Sequence, residues 1–462
     1  MTESYLRNIT PDSLSGLVFG FEGIKNALVI LNGPTGCKFY HSITAETQSL
    51  HKEDYDPLNY PEEWFFGQRR VPCTYLDKRD YVYGSEGKLI DAIRFILGRM
   101  TPDILAVVNS PGAALIGDDL ERIVNEAVRG TANESSHGAS NAADAVDAVD
   151  VSGDASSEIR AEIPVITCQS PGYSKDIIDG WKSACRIVID KLCGGAKSDN
   201  VSDCARSDAR SDSVSEPAVN LLGLSIYQKY HAGDIAEIKR LLGLCGIKVN
   251  TALLCESTIE EIKKLPKASL NIVIDPDWGL DSAEYLKDRF GIPYVTSRYG
   301  YPVGFKAMEE LIRDICGQIS NVCNLAGNDR AGESCSSTVD AGPALIELAK
   351  ARAEVYPHIA RMSSLTGLPK GMHFAVFGND AVKLGYSSFL TDYLGMTEDD
   401  DDPEIVLADG NTIAMMKAEG KKIGGIEIAL PTIGYIDVIQ KTHLGASGGM
   451  FLIEQILNSF VY

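Results

Sequence analysis

The chain has 462 residues, 44% of them hydrophobic, with 64 Asp and Glu against 43 Lys and Arg and a formal charge of -21. That length calls for two or three domains, and the acidic balance argues against a nucleic-acid or anionic-membrane surface. No apolar run reaches the roughly 20 residues of a membrane span, the first residues carry no charged-then-apolar leader, and eleven cysteines do not make a disulfide framework, so the expectation is a cytoplasmic chain with reduced thiols.

The first apolar run, Ala27 to Leu31, reads as a buried strand and is followed by the glycine-tight turn Gly33-Pro34-Thr35-Gly36-Cys37. Ile104 to Val108 is a second strand, leading through Asn109-Ser110-Pro111-Gly112 to a helix ending near Val128. Pro164 to Thr167 is a third, followed by a helix from Ile177 to Leu192. The middle of the chain repeats the alternation: strand Val219 to Leu224, helix Asp234 to Leu244, strand Val249 to Leu254, helix Ile259 to Leu265, strand Leu270 to Ile274. The last part has strand Phe374 to Phe377, a helix through Leu390 and strand Glu404 to Leu407. Such alternation implies parallel sheets with right-handed crossovers.

Three stretches rich in Ser, Asp, Ala and Asn bury too little apolar surface to offset their ordering entropy. Residues 130–158 read as an insertion, and 196–216 and 324–342 as linkers. Cys204 and Cys335 fall in the linkers and are discounted as ligands. The expected fold is therefore α/β, three Rossmann-like domains with parallel sheets around a central cleft, at 1–195, 217–323 and 343–462. Ligands in such folds sit beyond the carboxyl ends of strands, where Cys37, Ser110, Cys168, Cys255 and Asp275 fall.

Two thiols on Gly/Pro-punctuated loops, Cys37 and Cys73, suggest a soft metal centre. For Cys168 and Cys255, packing is favoured; Cys185, Cys193, Cys245, Cys316 and Cys323 sit on helical patterns and read as core. Asp118 and Asp119 read as early-helix carboxylates or interdomain hydrogen-bond acceptors, and His41 either as a tuning hydrogen-bond partner of the metal centre or as an ordinary surface or interface histidine. Lys38, Arg69 and Arg70 either offset cluster charge or are solvated; the aromatic cluster Trp64-Phe65-Phe66-Gly67 reads as cluster shielding or a subunit contact, and His443 as structural. There is no Gly-x-Gly-x-x-Gly opening a helix and no Walker lysine motif, which disfavours NAD binding and self-contained ATP hydrolysis.

In order, the Gly33 to Cys37 turn, Cys73, Asp80 to Ser85 before Lys88-Leu89, and Asn109-Ser110-Pro111 ahead of Leu115-Ile116-Gly117-Asp118-Asp119-Leu120 resemble the component 1 family of nitrogenase-type oxidoreductases. That family includes both nitrogenase component 1 subunits, their cofactor-assembly scaffolds and reductases acting on chlorophyll precursors. Ser269 to Val273 with Phe290 to Tyr294 resembles its second domain, and Gly371 to Gly378 with Leu430 to Phe460 its third.

The resemblance implies an iron–sulfur cluster, of [4Fe–4S] type, shared between two similar subunits. Cys37 and Cys73 match two of the family's three cysteines and are the metal-ligand candidates; Gly36 and Ser110 are the cofactor-binding candidates, with Ser110 in the third cysteine's place. Two cysteines per chain supply four thiolates in a homodimer, a heterodimer could draw more from its partner, and Ser110 would give oxygen ligation or only a hydrogen bond. Asp275 stands where the cofactor-carrying nitrogenase subunit has a cysteine, and the stretch from Leu430 to Gly449 looks more like the cofactor-free subunit. The implied role is a component 1 subunit, a homodimer or a heterodimer or heterotetramer with a similar chain, taking low-potential electrons from an ATP-hydrolysing iron–sulfur reductase protein. The alternatives are a non-catalytic scaffold for cofactor assembly and a purely structural partner subunit. The substrate, tetrapyrrole, thioether or otherwise, stays open, as does any second metal or tetrapyrrole cofactor.

Overall fold

The computed structural model describes residues 11–41, 70–137, 163–169, 175–194, 217–327, 339–434 and 437–459. Helix α1 (Ser13–Glu22) opens it, capped by Asp12, whose carboxylate accepts from the Leu14 and Ser15 N–H groups. All ten of its residues are buried, so it is an internal helix rather than an amphipathic surface one.

The first sheet is parallel, in the order β1 (Ala27–Asn32), β2 (Ile104–Asn109), β3 (Val165–Gln169). β2 is buried at all six positions, which explains its unbroken apolar run: a strand covered on both faces shows no alternation. Between β1 and β2 lie α2 (Thr35–His41), a single-turn helix Asp80–Tyr83 and α3 (Glu86–Leu97). After β2 come the short helix Pro111–Ala114 and α4 (Leu120–His137), which packs on α3 over one face of the sheet. α5 (Ile177–Cys193) covers the other face together with α1. α4 thus runs to His137, beyond the start of the segment read as an insertion.

The second sheet, also parallel, has the order β5-β4-β6-β7, from β4 (Ala218–Leu222), β5 (Lys248–Ala252), β6 (Leu270–Val273) and β7 (Tyr294–Thr296). Its helices are α6 (His231–Leu244), the short Ile259–Ile262, α7 (Pro276–Phe290) and α8 (Gly304–Gly327). α7 starts on Asp275 as cap with proline in its first turn and stops at left-handed Gly291, as its sequence dictates. α9 (Gly342–Thr366) leads to the third parallel sheet, in the order β11-β10-β8-β9, from β8 (His373–Val376), β9 (Thr397–Glu398), β10 (Ile405–Asp409) and β11 (Gly424–Ala429). It is accompanied by α10 (Asp380–Leu394), α11 (Gly410–Ala418) and α12 (Gly445–Asn458). α8 continues through Asn324 to Gly327, the first residues of the segment read as a linker.

One hydrophobic cluster runs unbroken through all three sheets, from Leu14 and Trp181 to Leu254, Trp278, Phe305, Phe389 and Leu452. Separate, smaller clusters fill the outer faces of the first and third sheets. No helix among the described residues is long and apolar enough to cross a membrane.

Candidate functional site

At the end of β1 the chain turns at Gly33. A Cβ there would lie 2.6 Å from the Ser110 hydroxyl oxygen and 3.6 Å from the Cys37 Cβ, so glycine is required, and Ser110 and Cys37 flank one point. The loop carrying Cys73 lies alongside β1 as one more parallel step. Leu31 N–H donates to the Pro72 carbonyl (2.9 Å), Thr74 N–H donates to Leu31 (3.1 Å), and Leu76 N–H donates to Gly33 (3.0 Å). The Cys73 thiol donates to the Gly33 carbonyl at 3.1 Å. Beneath it a polar ladder fixes the register: Thr74 Oγ1 donates to Asn32 Oδ1 (2.7 Å), and Asn32 Nδ2 donates to Asn109 Oδ1 (2.9 Å) and Ser85 Oγ (3.1 Å). Cys37, Cys73 and Ser110 therefore gather at the carboxyl ends of neighbouring strands, and all three are buried. Ser110 has a task in the fold already, accepting the Ala113 N–H as helix cap.

Basic groups surround the thiols. Lys38 is buried, and its ammonium donates to the Arg70 and Val71 carbonyls, each at 2.9 Å, which ties the Cys73 loop to the Cys37 helix. Burial pulls its pKa down to about 8, against the opposing pull of Cys73 and Glu22. Arg70 meets Glu22 of α1 with 2.7 and 2.9 Å hydrogen bonds. His41, buried rather than at the surface, places Nδ1 3.0 Å from Asp12 Oδ1 and 3.1 Å from Ser15 Oγ, and it also hydrogen-bonds Cys37. Burial acts to lower its pKa, but the bonds to Asp12 and Cys37 outweigh it and bring the value up to about 9. Burial pushes the Cys73 thiol up to about 11; the Tyr75 N–H opposes this, a charge on nearby Cys37 adds to it, and Lys38 opposes it again. The loop is held in strained backbone: Val71 has φ 44° and Tyr75 φ 52°, and a β-branched residue rarely takes that region.

Gly36, by contrast, has open space: a Cβ would meet nothing within 4 Å among the described residues, and its φ is not left-handed. The packing of the described residues requires glycine at Gly33 and not at Gly36. Phe39 and Tyr40 on α2, and Val82, Tyr83 and Leu115 nearby in the same domain, are exposed. Asp118 accepts from Ser85 N and Oγ, and Asp119 caps α4 through the Arg122 N–H, so both are structural acceptors. Cys168, Cys185, Cys193, Cys245, Cys255 and Cys316 are buried away from solvent as free thiols. Cys204, Cys335, Arg69 and the aromatic cluster at 64–67 lie outside the described residues, as does the side chain of Cys323. Among the described residues no three His, Cys, Asp or Glu side chains converge to hold a metal ion.

A second feature lies between the second and third sheets: a cavity of about 270 Å³ beyond the carboxyl ends of β4, β6, β8, β10 and β11, closed on one side by Ile177 and Ile178 of α5. Asp275 is fully buried there, bonded to Asn379 Nδ2 (2.9 Å) and the Asp277 N–H (3.0 Å). Burial pushes its pKa up to about 7. Asp234 accepts from the Tyr301 and Thr442 hydroxyls, both at 2.5 Å, and burial brings it up to about 6. His443 sits behind, bonded to Tyr386 (2.7 Å) and Gln455 (2.6 Å), and burial drives it down to about 3, so it is neutral. Sequence reasoning reaches Asp275 but not Asp12, Tyr227, Asn379 or Asp409. The last three lie at or just beyond the ends of β4, β8 and β10, and the strand-end rule that finds Cys37 would find them.

The model of the nitrogenase component 1 type oxidoreductases matches residues 14–397. The chain belongs to that family. It is 23% identical over 302 residues to a light-independent protochlorophyllide reductase polypeptide of Huperzia lucidula, covering 65% of this chain and 48% of that one. It is 25% identical over 307 residues to the nitrogenase iron-molybdenum cofactor biosynthesis protein NifE of Clostridium pasteurianum, covering 66% and 51%. The chain thus spans about half the length of these curated relatives. A solved structure of nitrogenase Cp1 at pH 6.5 superposes with TM-score 0.62 at 14% identity, over 97% of this chain and 92% of that one, which bears on the fold alone.

Proposed function

We propose that this chain is a component 1-type subunit of a nitrogenase-like reductase, holding an interface iron–sulfur cluster through Cys37 and Cys73. What carries the reading is the pair of buried thiols at adjoining strand ends, ringed by Lys38, His41 and Arg70. A raised-pKa thiol such as Cys73 favours the neutral form until a metal displaces its proton, and the basic groups suit the anionic charge of a thiolate-bound cluster. The donor set therefore fits an iron–sulfur cluster, with the remaining ligands coming from a second, similar subunit, since [4Fe–4S] clusters take about four.

When bound, such a cluster supplies one-electron chemistry at low potential. This chain's own part is local. Lys38 clamps the two cysteine-bearing segments together. The Asn32, Thr74 and Asn109 ladder sets the strand-end register of Cys73. Ser110, already committed as helix cap, stands beside Cys37 as a hydrogen-bonding or oxygen-donor neighbour. Gly36 leaves room for a bound group or a partner surface. The cavity against α5 is the site offered to a substrate or second cofactor, and an ATP-hydrolysing iron–sulfur protein is the electron donor the family reading calls for.

The likeness to a cofactor biosynthesis protein favours one second reading, a scaffold that holds and passes on a cofactor without turnover. Anaerobic iron and sulfide analysis, with EPR of the dithionite-reduced protein, tests the first reading. About four irons per dimer, lost in both Cys37→Ala and Cys73→Ala, is expected. A reconstituted wild type without iron overturns it, and release of a metal cofactor to an acceptor without substrate turnover favours the scaffold.

A further inference from the structure

We infer that the cavity between the second and third sheets is a receptor for a compact organic cation, an amine or alkylated ammonium. The inference rests on the reading of this cavity as the ligand site and names its ligand class.

Its walls are aromatic. Tyr227 and Trp278 form one, their rings stacked at 6.1 Å between centroids and 28° apart. Tyr230 and Tyr386 form another, both braced on His443, whose ring is 4.5 Å from that of Tyr230. Phe377 adds a further ring. Ring faces carry negative potential and attract cations, the basis of aromatic cages for ammonium groups.

The charged groups among the described lining residues are all acids: Asp234, Asp275 and Asp409, with no lysine, arginine or histidine. Lys229 lies 5.3 Å from the Tyr230 ring but does not line the cavity, and it is engaged by Glu427 and Asp437. Helix N-termini also face this space and would by themselves favour an anion. They are already answered by the chain: Asp275 caps α7, Asn379 caps α10 and Asp409 caps α11, each accepting a first-turn N–H. An anionic ligand would meet carboxyls and find no cation; a neutral one would leave those carboxyls without a counter-charge, which low-polarity surroundings make costly. The raised pKa of Asp275, set by burial, is what a carboxyl without a counter-charge shows; burial raises Asp234 as well, against the pull of its Thr442 and Tyr301 hydrogen bonds and of His231. Ligand pockets typically run to about 300–1,000 Å³, so a cavity of about 270 Å³ selects a small ligand.

Calorimetric titration of the full-length, cluster-reconstituted protein with choline, its uncharged carbon isostere dimethylbutanol, and acetate tests this. Choline should bind at least about tenfold more tightly than the isostere, with no saturable heat from acetate. Tyr227→Leu should remove most of that preference, and Tyr227→Phe, which keeps the ring, should retain it. Equal binding of choline and dimethylbutanol, binding of acetate alone, or no saturable binding of choline overturns the proposal. Iron content of the same samples separates the two readings: cluster-free wild type that still prefers choline removes the electron-transfer reading and leaves the cation site, and cluster-loaded protein without the preference does the reverse.

Discussion

Around Cys37 and Cys73 the ionisable groups among the described residues are two buried thiols, buried Lys38 and His41, and partly buried Arg70, with Glu22 and Asp12 as their carboxylate partners. Around the cavity they are Asp234, Asp275, Asp409 and four tyrosines, with a neutral histidine behind. Both regions lie beyond the carboxyl ends of parallel strands, and they are separated by α1 and α5. The first is arranged so that negative charge placed on sulfur finds cations close by. The second lines its cavity, among the described residues, with carboxyls and no cation. The same fold position, repeated three times in one chain, has thus been given opposite electrical character by a few side chains, and the ligand each can hold differs accordingly.

Four changes break or sharpen that contrast. The largest effect is expected from Cys73→Ala, which should abolish cluster iron in the reconstituted protein while leaving far-UV circular dichroism unchanged; retention of iron would mean that the thiol pocket is no pocket for metal. Next is Glu22→Gln. It leaves Arg70 charged, largely buried and without its carboxylate, so urea unfolding should show a loss of about 3 kcal/mol. A loss below about 1 kcal/mol would place this pair with ordinary surface ion pairs.

Gly16→Ala probes the wall between the two regions. A Cβ at Gly16 would lie 2.0 Å from the Ile177 carbonyl oxygen, and Ile177 also lines the cavity, so α1 and α5 must part. A cost of about 2 kcal/mol and altered ligand affinity in the cavity are expected; wild-type stability would show that the wall yields freely. The last change concerns Asp275, and its effect is graded with pH. Its folded pKa of about 7 lies above the unfolded value near 4. The folded chain therefore holds the proton longer, and this group costs stability progressively as pH rises from about 4 through about 7, with no further change above about pH 8. Asp275→Asn removes the cost. Its stability relative to wild type should rise by roughly 4 kcal/mol between about pH 4 and about pH 8, read as urea midpoints; parallel profiles would show that Asp275 ionises normally.

How much of this is written in local sequence differs by region. β1 and β2 are legible because strands buried on both faces are continuous apolar runs, and the turn after β1 is legible because Gly33 admits no side chain. Cys37 and Cys73 follow from their punctuated loops. For His41 and Lys38 the local sequence does not decide between solvated and functional readings, because what buries them is α1 and the Arg70 loop, which come from elsewhere in the chain. The cavity is less legible still. Tyr230, Tyr301 and Tyr386 each sit in separate segments with no shared motif, and only the approach of the second and third sheets makes them neighbours. The reach of α8 to Gly327 is hidden because Asn324 to Gly327 resembles the polar stretch beyond it in composition while continuing the helix before it.

Asp12 is both the cap of α1 and the partner of His41, with Oδ1 serving both and Oδ2 buried without a hydrogen-bond partner among the described residues. No single substitution there has a separable meaning, since Asp12→Ala at once frays a helix end and frees an imidazole beside Cys37. Only a double-mutant cycle with His41 divides the two contributions, and a coupling energy near zero or near the whole of the Asp12 effect would say which of its two employments the carboxylate is kept for.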